Sequence, residues 1–290
     1  MFAKLASLHL LFTVVCATIP TLSGYHTVFT DDFNGASGSV ADRSKWDQVT
    51  IKNADSLKQT QIYTDYASNA HLSGDGQLYI IPKRGRGSGG EVYYTSARLE
   101  TYGSWKCDNG KAMVFQAELR VPDMTGSPAK YEGLWPAFWT KGVSSRQGTK
   151  WPDCGEWDIF EQNNHMGSTS QGTLHYRKAD GTYTFALNKA TGYKAGAYNT
   201  WAFKVDRRNA DWKKQKLTFH LNGNQYYTVT GAMVGTYKQW EILAYQPFYI
   251  ILNMALGGKP EGYAGKTTEQ TVMGFESSLR VKYVAVYKSN

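Results

Sequence analysis

Short runs that alternate apolar and polar residues recur along this chain, and their recurrence limits the fold more than any other feature. The runs "GQLYIIPK", "EVYYTSARLETY", "KAMVFQAELRVP", "EWDIFEQ", "GTLHYR", "TWAFKVDR", "KLTFHLNGNQYYTV", "FYIILNMAL" and "LRVKYVAVYK" are separated by Gly, Asn, Asp and Pro. A period of two is that of a strand with one buried face. Asn222-Gly223 predicts a type I′ hairpin, because both turn positions need positive φ. No helical periodicity extends beyond about three turns, so nothing is available for parallel crossovers. Hairpin-linked strands without crossovers point to an all-β, antiparallel two-sheet sandwich. The 9 Trp, 20 Tyr and 12 Phe agree with a β-rich core and leave some rings over for a ligand. No linker, repeat or low-complexity tract follows residue 24, so residues 24–290 read as one domain.

The start of the chain has a different character. Lys4 is followed by an apolar stretch from Leu5 to Ile19 and small residues around Thr21 to Gly24. This is the pattern of a secretory signal peptide, placed here at residues 1–23. No later run approaches the roughly 18 apolar residues of a membrane span. A secreted protein, extracellular or in a cell wall, is therefore expected, with no membrane attachment once the leader is removed. The formal net charge is +8, but the densest basic clusters, Lys83-Arg84-Gly85-Arg86, Arg207-Arg208 and Lys213-Lys214, are short and sit among turn-like residues. They read as solvated loops, with no nucleic-acid motif beside them. After leader removal two cysteines remain, Cys107 and Cys154. In an oxidising compartment an even pair suggests one disulfide, which would brace the segment that follows Cys154.

That segment, "CGEWDIFEQNN", carries the chemistry. Strand alternation sends Glu156 and Asp158 to one face, and Trp157 and Ile159 to the other. Strict alternation would also send Glu161 to the Trp157 face, where an unpaired carboxylate is costly. A β-bulge at Ile159-Phe160 shifts the phase by one and returns Glu161 to the other acids. Three carboxylates on one face repel, which raises at least one pKa. A retaining glycosidase uses that property, with one carboxylate ionised and another protonated about 5–5.5 Å away. A Ca²⁺ site and a plain polar face are the rival readings; the first usually draws on carbonyl-rich loops, and nearby Trp135, Trp139 and Trp151 disfavour the second.

"GEWDIFE" resembles the E-x-D-x-x-E signature of glycoside hydrolase family 16, in its bulged, laminarinase-like branch. "FTDDFNG", "QIYTDYASNAHLSGDGQLYI", "TSARLETYG", "GLWPAFW", "PFYIILNMALGG" and "RVKYVAVYK" follow the family's order across nearly the whole mature chain. The resemblance implies a β-jelly-roll sandwich with a concave substrate cleft. It implies a secreted, retaining endo-β-glycosidase that acts on β-1,3-glucan by double displacement, without a cofactor and as a monomer. Glu156 resembles the nucleophile, Glu161 the acid/base and Asp158 the residue assisting between them. Trp135 and Trp151 resemble aromatic platforms, Arg98 and Asn69 residues that bind glycone hydroxyls, and His175 a cleft histidine; Trp139 is open between cleft and core. Trp157 replaces the usual Ile or Leu, and Gln162 the usual Gly, beside the acid/base where it would alter a subsite. Lys282 stands where the family often places a Ca²⁺ ligand, so its ammonium is expected in place of the ion and no metal is expected there. Within the same chemistry the alternatives are a β-1,3-galactanase, a mixed-linkage glucanase and a transglycosylase. A non-catalytic glucan-binding lectin is the rival from another class.

Overall fold

The computed structural model describes residues 18–51, 59–258 and 264–290, so most of the expected leader, with Cys16, lies outside the described residues. The N-terminal half supplies β1 (Tyr25–Asp31), β2 (Trp46–Gln48), β3 (Gln61–Tyr63), β4 (Ala70–Leu72), β5 (Leu78–Ile80), β6 (Lys83–Arg86), β7 (Val92–Ser96), β8 (Arg98–Thr101) and β9 (Ala112–Arg120). Four long strands follow: β10 (Leu134–Gly142), β11 (Glu156–Glu161), β12 (Thr169–Arg177) and β13 (Tyr183–Thr191). The chain continues with β14 (Asn199–Asp206), β15 (Lys216–Leu221), β16 (Asn224–Thr230), β17 (Phe248–Leu256) and β18 (Leu279–Ser289). Two short helices, α1 (Gly231–Val234) and α2 (Tyr237–Ala244), lie between β16 and β17.

Two antiparallel sheets form the sandwich. The first runs β16-β15-β14-β9-β18-β5-β4, with β1 also paired to β18; the second runs β13-β12-β11-β10-β17-β8-β2. A small third sheet, β3-β7-β6, contains the parallel pair β3 and β7. The core lies between the two large sheets. Trp157 and Phe160 of β11 meet Phe203 and Trp201 of β14, with ring centroids 4.5 and 4.4 Å apart. Asn222 and Gly223 have φ of 50° and 82°, as the hairpin between β15 and β16 requires.

Three expectations change. Lys83–Arg86 is strand β6 rather than a loop, and Arg84 donates to the carbonyls of Thr268, Glu269 and Thr271. Arg207 is buried, its guanidinium over the Tyr245 ring, so Arg84 and Arg207 tie the fold together instead of lying in solvated loops. The Cys107–Cys154 disulfide is absent, and both residues are buried free thiols. The Cys107 sulfur lies in the inter-sheet core against the Lys111 and Val205 carbonyls, and burial pushes its pKa up to about 12. Cys154 sits in the turn before β11, where the Gln246 amide, donating to the Cys154 carbonyl at 2.7 Å, does the bracing expected of a disulfide.

Ile19 and Leu22, assigned above to the leader, pack against a cluster of Val114, Tyr283, Ala285 and Tyr287 on the first sheet. The Tyr287 hydroxyl also donates to the Pro20 carbonyl at 2.8 Å. Lys282 pairs with Glu118 at 2.9 Å and lies over the Tyr198 ring. No helix among the described residues is long and apolar enough to cross a membrane.

Candidate active site

The bulge falls where the sequence places it. Opposite β10, Phe160 pairs with Phe138 and Asp158 with Trp139, which leaves Ile159 as the extra residue. Opposite β12, Glu156, Asp158 and Glu161 pair with His175, Thr173 and Gln171. Those partners are two residues apart and share one face, so the three acids share it too. Trp157, Ile159 and Phe160 are each about fully buried on the other. Without the extra residue, Glu161 would enter the packing occupied by Phe160 and Trp201.

An indole holds each outer acid. The Trp151 Nε1 donates to Glu156 at 3.1 Å, and the Trp135 Nε1 donates to Glu161 at 2.9 Å. Gly258 makes room for Trp135, because a Cβ there would come within 2.8 Å of the indole. Between the two, His175 Nε2 lies 2.9 Å from Asp158 Oδ2 and 4.0 Å from Glu156 Oε1. The other histidine nitrogen, Nδ1, is 2.7 Å from the Tyr183 hydroxyl. His175, held through Nδ1 by Tyr183, thus faces the middle carboxylate from the side.

Asp158 and Glu161 are only 5 and 7% exposed. Burial raises the pKa of all three acids to about 8, and the Asp158 charge adds to the rise at Glu156 and Glu161. His175 and the indole hydrogen bonds work against the rise at Glu156 and Glu161. The acids therefore exchange protons as a set near neutral pH. Glu156, Asp158 and His175 offer ligand atoms within 4.8 Å of one another.

On the β17 side of the acids, the register aligns Glu161, Ala137, Asn253 and Arg98 across four strands. Trp139 faces the acids, not the core: its Nε1 donates to Asn253 Oδ1 at 2.6 Å, and the Arg98 guanidinium sits over its ring at 4.7 Å. Arg98 is also paired with Glu100 at 2.6 Å. Asn69 is brought elsewhere. It is 1% exposed, donates to the Ile81 carbonyl and accepts from Thr64, so its amide holds the chain together. Gln162 is turned inward as well, donating to the Tyr193 hydroxyl at 2.6 Å. Once the bulge has reset the phase, the residue after Glu161 must face the core, so Gln162 does not alter a subsite.

Asn253, Gln171 and Tyr183 were missed from the sequence. Gln171 shares the period-two face of His175, and Asn253 is a lone polar residue in an apolar strand; both signals were available. Tyr183 had none, since only the pairing of β12 with β13 carries it to His175.

Two packed antiparallel sheets, one with three acids between indoles on its outer face, are the arrangement expected of a jelly-roll glycoside hydrolase. A family model described as "XgeA-like, catalytic GH16 domain" matches residues 111–211, which include the acidic strand. The chain is 26% identical over 293 residues to the glucan endo-1,3-beta-glucosidase A1 of Niallia circulans, covering 93% of this chain and 39% of that one. It is 29% identical to the glucan endo-1,3-beta-glucosidase of Cryptopygus antarcticus, over 90% of this chain and 91% of that one. The crystal structure of an endo-1,3-beta-glucanase from Streptomyces sioyaensis superposes with a TM-score of 0.81 at 27% identity, covering 94% of this chain and 99% of that one. The chain is similar to glycoside hydrolase family 16, and its relatives and solved neighbours are laminarinases and endo-1,3-beta-glucanases. It spans about two fifths of the length of the Niallia circulans protein.

Proposed function

We propose that this protein is an exported, retaining endo-β-glycosidase that hydrolyses β-1,3-glucan. One observation carries the reading: the Ile159 bulge sets Glu161 on the face of Glu156 and Asp158, with an indole donor on each outer acid. Glu156 attacks the anomeric carbon while Glu161 gives its proton to the leaving oxygen. Glu161, now ionised, takes a proton from water, and the hydroxide releases the sugar from Glu156. The Asp158 charge adds to the rise at both outer acids, so the trio shares its protons as a set, and the proton that Glu161 gives up comes from that set. The burial that raises the pKa of Glu161 keeps it protonated at neutral pH, as its first task needs. Every group required is a side chain of this protein. Indole faces beside the acids suit the C–H faces of sugar rings.

The test uses protein recovered from the culture medium of its host. Wild type is expected to release reducing sugar from laminarin with the β-anomer formed first, and Glu156→Gln to lose at least about a thousandfold in rate, the scale for a group essential to covalent catalysis. The recovered chain is expected to begin at or before Ile19, because Ile19 and Leu22 are packed onto the first sheet. Binding of β-glucans and β-galactans without any release would refute hydrolysis and leave a lectin. Release of the α-anomer first would refute retention.

A further inference from the structure

Strand β13 is the edge of the acid-bearing sheet and reverses the usual pattern of such an edge. Tyr183, Phe185 and Leu187, at alternate positions, are 42, 52 and 38% exposed. Their partners across the ladder are Arg177, His175 and Thr173, which belong to the face that carries the acids. Opposed residues project to the same side of a sheet, so these three side chains extend that face outward. Their intervening neighbour Ala186 packs into the core, as the alternation requires.

The exposed rings also join the active site. Trp151, itself 42% exposed, lies 5.7 Å from His175 and 5.0 Å from Tyr183, centroid to centroid. Phe185 follows at 6.1 Å from Tyr183 and 6.2 Å from His175. A continuous row of rings thus leads from the Glu156 indole across β12 to the sheet edge, on the side of the acids opposite Trp139 and Arg98. Contiguous apolar surface of this kind is uncommon without a partner.

We infer that Tyr183, Phe185 and Leu187 form a distal sugar-binding platform, which takes the continuation of the same β-linked polysaccharide beyond the acids. The inference rests on the glycan reading of the site and adds to it where the chain runs. Two strand spacings separate β13 from β11, about 10 Å at roughly 4.8 Å each. That is the length of a couple of sugar rings, so only ligands that extend well past the acids reach Phe185. Flat and branched apolar side chains at the surface meet the C–H faces of successive rings.

The probe is a graded series of β-1,3-linked gluco-oligosaccharides, titrated calorimetrically into Glu156→Gln protein, which cannot consume them. Affinity is expected to rise about tenfold once the ligand passes the length that fills the sites next to the acids. Adding Phe185→Ala or Leu187→Ala is expected to erase that rise and to change short-ligand affinity by less than about twofold, as for a contact made only by the long ligand. Both positions are exposed, so folding is not at stake, and the circular dichroism spectrum is expected to be unaltered. Equal long-ligand affinity with and without Phe185 overturns the platform. So does a concentration-dependent dimer that Phe185→Ala abolishes, which would assign the face to a second copy of the chain. Retention on an immobilised-glucan gel separates this inference from the catalytic one. Retention weakened by Phe185→Ala in a protein without hydrolytic activity would keep the platform and refute the glycosidase, whereas unchanged retention would refute the platform at any activity.

Discussion

Glu161 draws its properties from what surrounds its two oxygens. Burial and the Asp158 charge raise its pKa, while the Trp135 indole and the Gln171 amide donate to its ionised form and lower it. Glu156 is raised by the same burial and opposed by His175, Lys141 and Trp151. Both outer acids are raised to about 8, so the rate should peak near that pH, falling toward acid as Glu156 gains a proton and toward alkali as Glu161 loses one. Trp135→Phe removes a donor to the charged form of Glu161, so the Glu161 pKa rises further. The alkaline limb of the kcat/KM profile is then expected to move to higher pH, with a lower plateau. An alkaline limb that stays in place would show that another group governs it. The same local view explains Asn69 and Gln162, whose amide N–H groups each donate inside the protein and are not offered to a ligand.

Strand β11 works as an element because its two faces do different jobs. Trp157 replaces the smaller aliphatic residue of the resemblance, and the fold accommodates it fully. It stacks on Phe248 with centroids 3.6 Å apart, meets Phe115 and Phe203, and donates its Nε1 to the Leu243 carbonyl at 3.0 Å. The indole therefore fastens the acid strand to both β17 and the end of α2. Trp157→Ala is expected to cost about 3–5 kcal/mol, the range for emptying such a site. A urea midpoint that drops by much less would mean that the surrounding rings close the void. The bulge itself was readable from the strand, because three acids and three apolar residues can be sorted to opposite faces only with one extra residue. The Asn222-Gly223 hairpin was readable for a similar reason, since left-handed backbone at two successive positions suits few residue pairs.

At the scale of the whole molecule, the acid cluster is a stability cost that function requires. Each acid has a folded pKa of about 8, against roughly 4 in an unfolded chain. Between those values the folded state holds more protons than the unfolded one, so stability declines as pH rises through this window. Glu161→Gln removes one such group. It is expected to raise Tm at pH 8 and to change it less at pH 5. An equal gain at both pH values would show that ionisation of Glu161 is not the cause.

The sequence alone determined the strand class, the hairpin, the bulge and the trio of acids, because each depends on residues within a few positions of one another. Sheet order and register decided the rest. They brought Asn253 beside Trp139 and Tyr183 beside His175, laid the β13 rings along the acid-bearing face, kept Cys107 and Cys154 as separate thiols, and drew Ile19 and Leu22 onto the first sheet. These partners are distant along the chain, and only the pairing of whole strands brings their side chains within reach.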